Sequence, residues 1–390
     1  MRVLSPSKGV AISDDAFQQL SFATSGGSVC PQLQRLTWNS FYGWKHMQQF
    51  LSPHLVSVLF SDEGEMGPDS DSTLIHTISL LPTTRLGDLN LNIFPPPTLM
   101  HSVLSKVVQR LNPRFKRLMT ESSLSESAWE HLASLPKLEL LRVSDTPRTE
   151  ISKAIPHEIA FPALERMEIQ VGDAHQHWSF LFSLLKSSPL RDVRVTPNSR
   201  IRGVDVSGQV TAAVLEAGLQ RNIDTLIFVA FDPDKLTFLS KLGPFCSLKT
   251  LNCVTECQWS GECVSPLTDL DIEQVARGFP QLEMLRLGHG CKHSPYHTTI
   301  KSLISLSTHC LSLDTLYLPC DLTNISEDVK VESGEPDPRL GILSLCQLRV
   351  LALHWIIMPR RDDTKALGVV SSAFRHLFPL LSPGPRPWPG

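Results

Sequence analysis

One spacing of apolar residues recurs along the chain, in "CPQLQRLTW", "LPKLELLRV", "FPALERMEI", "FPQLEMLRL" and "CLSLDTLYL". Each phrase has an apolar residue, two free positions, a second apolar residue, one free position and a third apolar residue. Counted from its first apolar residue, the phrase opens at Leu33, Leu55, Leu86, Phe115, Leu138, Leu164, Leu190, Ile223, Leu248, Leu282, Leu313 and Leu348. The first and last openings lie 315 residues apart, a mean of about 29 per unit, and individual spacings run from 22 to 35. Pro31, Pro53, Pro113, Pro136, Pro162 and Pro280 each stand two residues before an opening, where proline stops a preceding helix and favours extended backbone.

Period-two alternation inside the phrase predicts a short strand. Between phrases the spacing becomes helical, as in "DDAFQQLSF", "WKHMQQFLS", "PTLMHSVLSKVVQRLN", "SESAWEHLASLP", "VTAAVLEAGLQRN", "TTIKSLISLSTHC" and "TKALGVVSSAFRHLF". Several of these follow Ser, Thr or Asp, which cap the free amides of a first helical turn. A strand, loop and helix repeated at this period is a leucine-rich repeat. The expected fold is therefore an α/β leucine-rich-repeat solenoid (horseshoe) of about twelve repeats, with a parallel inner sheet and outer helices. No unit buries its apolar face alone, so stacked neighbours share one core and the chain need not split into domains. The expected organisation is one solenoid over residues 1–381 and a Pro-rich disordered tail over 382–390.

Side chains alternate across a strand. If the first, fourth and sixth positions of the phrase face the core, the third, fifth and seventh face the hollow of the solenoid. The fifth-position row reads Thr37, Leu59, Asn90, Met119, Arg142, Glu168, Arg194, Ile227, Asn252, Arg286, Tyr317, Ala352. Arg117 and Arg166 add charge at the third position, and Glu121 and Asp192 lie on the same rungs. Rungs about 4.8 Å apart allow these charges to pair with one another, which is the ordinary state of an exposed charge ladder. Ile227, Val229 and Val254 are apolar where hollow-facing positions are usually polar, and an exposed apolar patch marks a contact site. The candidate protein-binding residues are Arg117, Arg142, Arg166, Glu168, Arg194, Ile227, Val229 and Val254.

Composition narrows the function. A net charge of -3 supplies no general attraction to nucleic acid or to acidic lipid, so neither is an expected partner. No stretch is long and apolar enough to span a bilayer, and "MRVLSPSKGVAISDDAF" has no apolar signal core, so a cytoplasmic or nuclear protein is expected. Nine cysteines, an odd number without the dense spacing of a secreted scaffold, fit that reading. Cys30, Cys246, Cys310 and Cys346, two or three residues before an opening, and Cys253, at a third apolar position, are expected to be small buried apolar residues.

There is no G-x-S-x-G elbow, phosphate loop, H-E-x-x-H helix or C-x-x-C pair, so nothing nominates a nucleophile, and no enzyme or cofactor is implied. One cluster needs weighing. Cys257 and Cys263 follow the strand at Leu248, while His289, Cys291, His293 and His297 follow the strand at Leu282. Loops leaving adjacent strands share a rim, where sulfur and imidazole could hold zinc. The spacing matches no tight paired-ligand signature, so these are read as surface thiols and histidines.

The phrases "FPALERMEI", "FPQLEMLRL" and "CPQLQRLTW", joined by irregular helices and polar loops, resemble those of the F-box/leucine-rich-repeat proteins of mushroom-forming fungi (basidiomycetes). The likeness runs from about Asp14 to Phe378. It implies repeats that recognise a protein substrate and an N-terminal F-box that docks on the adaptor of an SCF-type ubiquitin ligase. An F-box takes some forty residues of helical pattern with "LP-x-E" near its start, and here the first repeat helix begins by Asp14. "RVLSPSKG" reads as the strand of a repeat cut through its beginning, and "FRHLFPLL" is followed by "SPGPRPWPG", whose four prolines continue neither helix nor inner strand. The expectation is a protein-recognition module that meets the adaptor only in a longer form; the alternative is a truncated repeat chain with no retained partner.

Overall fold

A computed structural model describes residues 3–4, 13–24, 27–40, 43–61, 68–93, 99–144, 160–171, 178–197, 206–229, 239–255, 267–289, 297–321 and 350–352. The chain divides into two compact units, Met1–Leu190 and Arg191–Gly390. The fold is a leucine-rich-repeat solenoid, and each of the twelve phrases forms a strand.

In the first unit the strands are β1 (Val3–Leu4), β2 (Arg35–Asn39), β3 (Ser57–Ser61), β4 (Asp88–Asn92), β5 (Arg117–Thr120), β6 (Leu140–Val143) and β7 (Arg166–Val171). They pair in chain order, all parallel, with equivalent phrase positions in register: Leu36 faces Val58, Val58 faces Leu89, and Leu89 faces Leu118. The fragment at the start of the sequence is β1, whose Leu4 faces Leu36. The helices are α1 (Asp14–Ala23), α2 (Trp44–Met47, continued by a 3-10 turn to Phe50), α3 (Pro68–Ser79), α4 (Met100–Val108), α5 (Glu126–Ser134) and α6 (Trp178–Leu184). Ser13 and Ser125 accept hydrogen bonds from the amides of Ala16 and Ala128, capping α1 and α5 as their sequence predicts.

The second unit repeats the plan. Strands β8 (Asp192–Pro197), β9 (Thr225–Val229), β10 (Thr250–Thr255), β11 (Met284–His289), β12 (Thr315–Tyr317) and β13 (Val350–Ala352) are parallel and again in chain order. Its helices are α7 (Val206–Glu216), α8 (Asp269–Gly278) and α9 (Ile300–His309). On α8 the residues Ile272, Val275 and Ala276 are buried, and on α9 Ile300, Leu303 and Leu306, the three- and four-residue spacings of one apolar face. Helix α8, like α3 and α6, lies outside the stretches whose spacing was read as helical. It starts on a capping box in which Thr268 and Asp271 exchange side-chain to backbone hydrogen bonds.

The phrase sets which face is buried. In each of the eleven copies from Leu33 to Leu313, the residues at the first, fourth and sixth positions are buried, among them Leu138, Leu141 and Val143, and Leu282, Leu285 and Leu287. Third and fifth positions are mostly half-buried or exposed. We call the surface they form the open face of each unit.

The prolines have a more specific role than stopping a helix. The opening amide donates to the carbonyl three residues earlier at Leu33, Leu55, Phe115, Leu164, Leu248, Leu282 and Leu313. That bond closes a four-residue turn, and Pro31, Pro53, Pro113, Pro162 and Pro280 occupy its second position, which favours proline's fixed φ. The turn also bears on the cysteines. Its first residue is buried at Ser52, Phe161, Phe245, Phe279 and Cys310 and half-buried at Cys30 and Asn112, whereas its second is exposed throughout. Cys310, first in its turn, and Cys253, at the sixth position of its phrase, are buried as expected, but Cys246, second in its turn, is exposed and Cys30, first in its turn, is half-buried. Cys246 holds a proline's place, and the inward slot beside it belongs to Phe245. Cys346, like the tail 382–390, lies outside the described residues.

Candidate functional site

On the open face of the first unit, charges meet in pairs. Arg117 on β5 lies in register with Asp88 on β4 and grips it with two nitrogens, Nε to Oδ1 at 2.7 Å and Nη2 to Oδ2 at 3.0 Å. Asp88 in turn holds the Arg117 guanidinium more firmly protonated, through these bonds first and its charge second. Arg142 on β6 reaches back to Glu121, Nη2 to Oε1 at 3.4 Å. Glu121 is nearly enclosed, its side chain 9% exposed, and desolvation raises its carboxyl above the ordinary value despite the Arg142 charge. Glu168 lies in register with Arg142, and Arg166 with Leu140; both charged side chains are half-buried and interact with other residues.

The second unit carries the remaining expected residues. Arg194 on β8 binds Asp192 two residues earlier on the same strand, Nε and Nη2 both lying about 3.0 Å from the carboxylate oxygens. Strand alternation places residues two apart on one face, which is why the pair forms. Ile227 is in register with Arg194 on one side and with Asn252 on the other. Val229 is in register with Val254. Ile227 and Val229 are half-buried, so each offers apolar surface between polar rungs. The side chain of Val254 lies outside the described residues.

The sequence has Arg142, Glu168 and Arg194 pairing with one another; the pairs described are Arg117 with Asp88, Arg142 with Glu121 and Arg194 with Asp192, and Asp88 was not foreseen as a partner. One residue in the fifth-position row was passed over. Arg286 on β11 lies in register with Asn252 and Tyr317. Its guanidinium carbon sits 5.0 Å from the Tyr317 ring centroid, a cation–π contact. The signal was an arginine next to a tyrosine at the same position of consecutive phrases.

Of the rim cluster, Cys257, Cys263, Cys291 and His293 lie outside the described residues, and His289 is described in its backbone alone, at the end of β11. His297 is exposed and forms an isolated parallel bridge with Thr268. Among the described residues no three His, Cys, Asp or Glu side chains gather as metal ligands, and no helix is long and apolar enough to cross a membrane.

No protein-family model matches the chain, and no curated protein does. Among solved structures, the crystal structure of the Rad7 and Elc1 complex in yeast contains a chain similar to this one, at 14% identity and a TM-score of 0.45. The similarity covers 95% of this chain and 81% of that one. The fold assignment rests on the parallel ladder and its buried phrase positions.

Proposed function

We propose that the chain is a non-enzymatic protein-recognition module that binds its partner on the open face of its strands. The supporting observation is the composition of that face. Paired charges on β4 to β6 in one unit and on β8 in the other accompany apolar Ile227 and Val229 on β9. Protein contacts commonly combine an apolar centre with an arginine-bearing rim. The contact residues in this reading are Arg117, Arg142, Arg166 and Glu168 in the first unit and Arg194, Ile227, Val229 and Val254 in the second. The finer reading is a receptor like the substrate-binding subunits of SCF-type ubiquitin ligases, with the adaptor bound only by a form that carries an F-box. The chain is placed in the cytoplasm or nucleus, with no cofactor, nucleic acid or membrane involved.

The test is co-purification from cell extract with the wild-type chain, Ile227→Asp and Lys106→Ala, the last an exposed change on helix α4. A protein retained by the wild type and by Lys106→Ala but lost with a folded Ile227→Asp supports the reading. Loss with Lys106→Ala, or indifference to Ile227→Asp, moves the contact off the open face.

A further inference from the structure

We infer that the open face of β9 to β12 reads an extended, acidic peptide segment, with Arg286 as the anchor for its carboxylate. The inference rests on the protein-recognition reading and specifies its ligand.

The argument begins with what the chain does for its other arginines. Arg117, Arg142 and Arg194 each have a carboxylate of their own within 3.4 Å or less: Asp88, Glu121 and Asp192. Arg286 has none. The third and fifth positions of β9 to β12 are Thr225, Ile227, Thr250, Asn252, Met284, Arg286, Thr315 and Tyr317, a set with one charge. Among the described residues no acceptor takes an Arg286 N–H. The side chain is nonetheless half-buried and positioned, lying over Tyr317 instead of reaching into solvent. Arg35 on β2 also lacks a carboxylate among the described residues, but it is exposed and touches no described ring. A guanidinium placed against an aromatic ring and unpaired with a carboxylate still has its planar fork of donors to offer, the group that binds a carboxylate through two parallel hydrogen bonds.

Two neighbours shape the rest of the ligand. Asn252, in register with Arg286, has a side-chain Oδ1 that is enclosed and accepts no hydrogen bond. A rotation of that amide presents the unmet acceptor to a main-chain N–H laid across the rungs, and polar groups of that kind are rarely left unpaired. Two rungs from Arg286 stands Ile227, at about 10 Å for rungs about 4.8 Å apart. Along an extended chain rising roughly 3.3 Å per residue, this is the separation of side chains two to four residues apart. The ligand is therefore a segment with Asp or Glu against Arg286 and a branched or aromatic apolar residue against Ile227. A nucleic acid is disfavoured because phosphate-backbone binding needs several unneutralised cations, and this face has one.

The test is selection of a random extended-peptide display library on the full chain, on Arg286→Ala, on Arg286→Glu and on Ile227→Asp, each checked for native circular dichroism. The expected result is enrichment of peptides with Asp or Glu two to four residues from an apolar residue. Affinity for a selected synthetic peptide should fall at least tenfold in Arg286→Ala and with replacement of its acidic residue by the amide. Arg286→Glu should select Lys or Arg at that place instead. Enrichment of neutral peptides that depends on Ile227 but not on Arg286 overturns the carboxylate inference and leaves the recognition reading intact. No enrichment on the wild type over Ile227→Asp overturns the peptide ligand altogether, while the co-purification result judges the wider reading separately.

Discussion

Asp269, in the first turn of α8, closes the N-terminus of the next helix through Thr299: its two oxygens accept the Thr299 amide and hydroxyl, each at 2.7 Å. The same carboxylate accepts from the Ser302 amide and hydroxyl, so the start of α9 is satisfied by a residue from the preceding repeat. The free amides of a helix start are ordinarily met within a few residues of sequence. Here the cap joins two consecutive repeats. Asp269→Ala should lower stability by about 1 to 3 kcal/mol, more than loss of a lone cap, because several donors are left unmet in a half-buried place. Urea unfolding with a two-state fit measures it, and a change below about 0.5 kcal/mol would mean that Thr299 caps α9 adequately by itself.

Glu121 predicts a pH dependence of definite sign. Its folded-state carboxyl lies above the ordinary value of 4.5 because burial penalises the charge. The native state thus holds its proton longer than the unfolded one, and this group's contribution to stability is lost as pH rises through the raised value. Glu121→Gln should remove that loss, so its stability relative to wild type should improve between about pH 4.5 and neutrality. A constant difference across that range would show that the Arg142 contact offsets the desolvation.

Asp14 gives the opposite sign. Lys45 first and His46 second, hydrogen-bonded at 2.5 and 2.8 Å, hold its carboxyl below the ordinary 3.8. Its contribution is present above 3.8 and lost as pH falls through the lowered value. Asp14→Asn should flatten the acid limb of the stability profile. Since Asp14 is largely exposed, the difference should also shrink in high salt.

The thiols separate by burial. In native protein, maleimide labelling mapped by peptide mass should find Cys246, while Cys253, Cys310 and Cys320 stay protected until denaturant is added. Burial pushes the Cys253 and Cys320 thiols up, away from the reactive thiolate, as well as hiding them. Native labelling of Cys253 would show that β10 opens without global unfolding.

On the open face, Arg142→Ala should weaken partner binding by about 1 to 2 kcal/mol, and Ile227→Asp should abolish it by burying an unpaired carboxylate. Calorimetric titration with the co-purified partner gives both values, and a tolerant Ile227 would locate the contact elsewhere.

The strands were legible because their period is written in the largest apolar side chains. Leu138, Leu141 and Val143 announce burial by spacing alone, and a parallel ladder follows once the spacing repeats. The helices were less so: the first turn of α8 is acidic, with Asp269 and Asp271, and Leu270 beside them is 62% exposed, which blurs the apolar stripe. Cys246 was misplaced because sequence position two before an opening looked like the end of a helix, whereas it is the outward corner of a turn. Arg286 was visible but indistinct among other arginines. What sets it apart is the lack of a facing carboxylate, and only the register of β10 to β12 shows which residues face it.

The turn before an opening has a consequence for how such a chain tolerates change. At the seven openings where the amide is bound to a carbonyl only three residues away, the alignment of the strand is fixed afresh, whatever length of loop came before. Additions and deletions do not accumulate: a misalignment begun in one loop is cancelled at the next corner. Spacings from 22 to 31 residues therefore coexist in the ladder of the first unit. Foreign residues grafted into a loop after a strand should leave the neighbouring strands in place, whereas deleting one residue between Phe279 and Leu282 would displace every side chain of β11 to the opposite face.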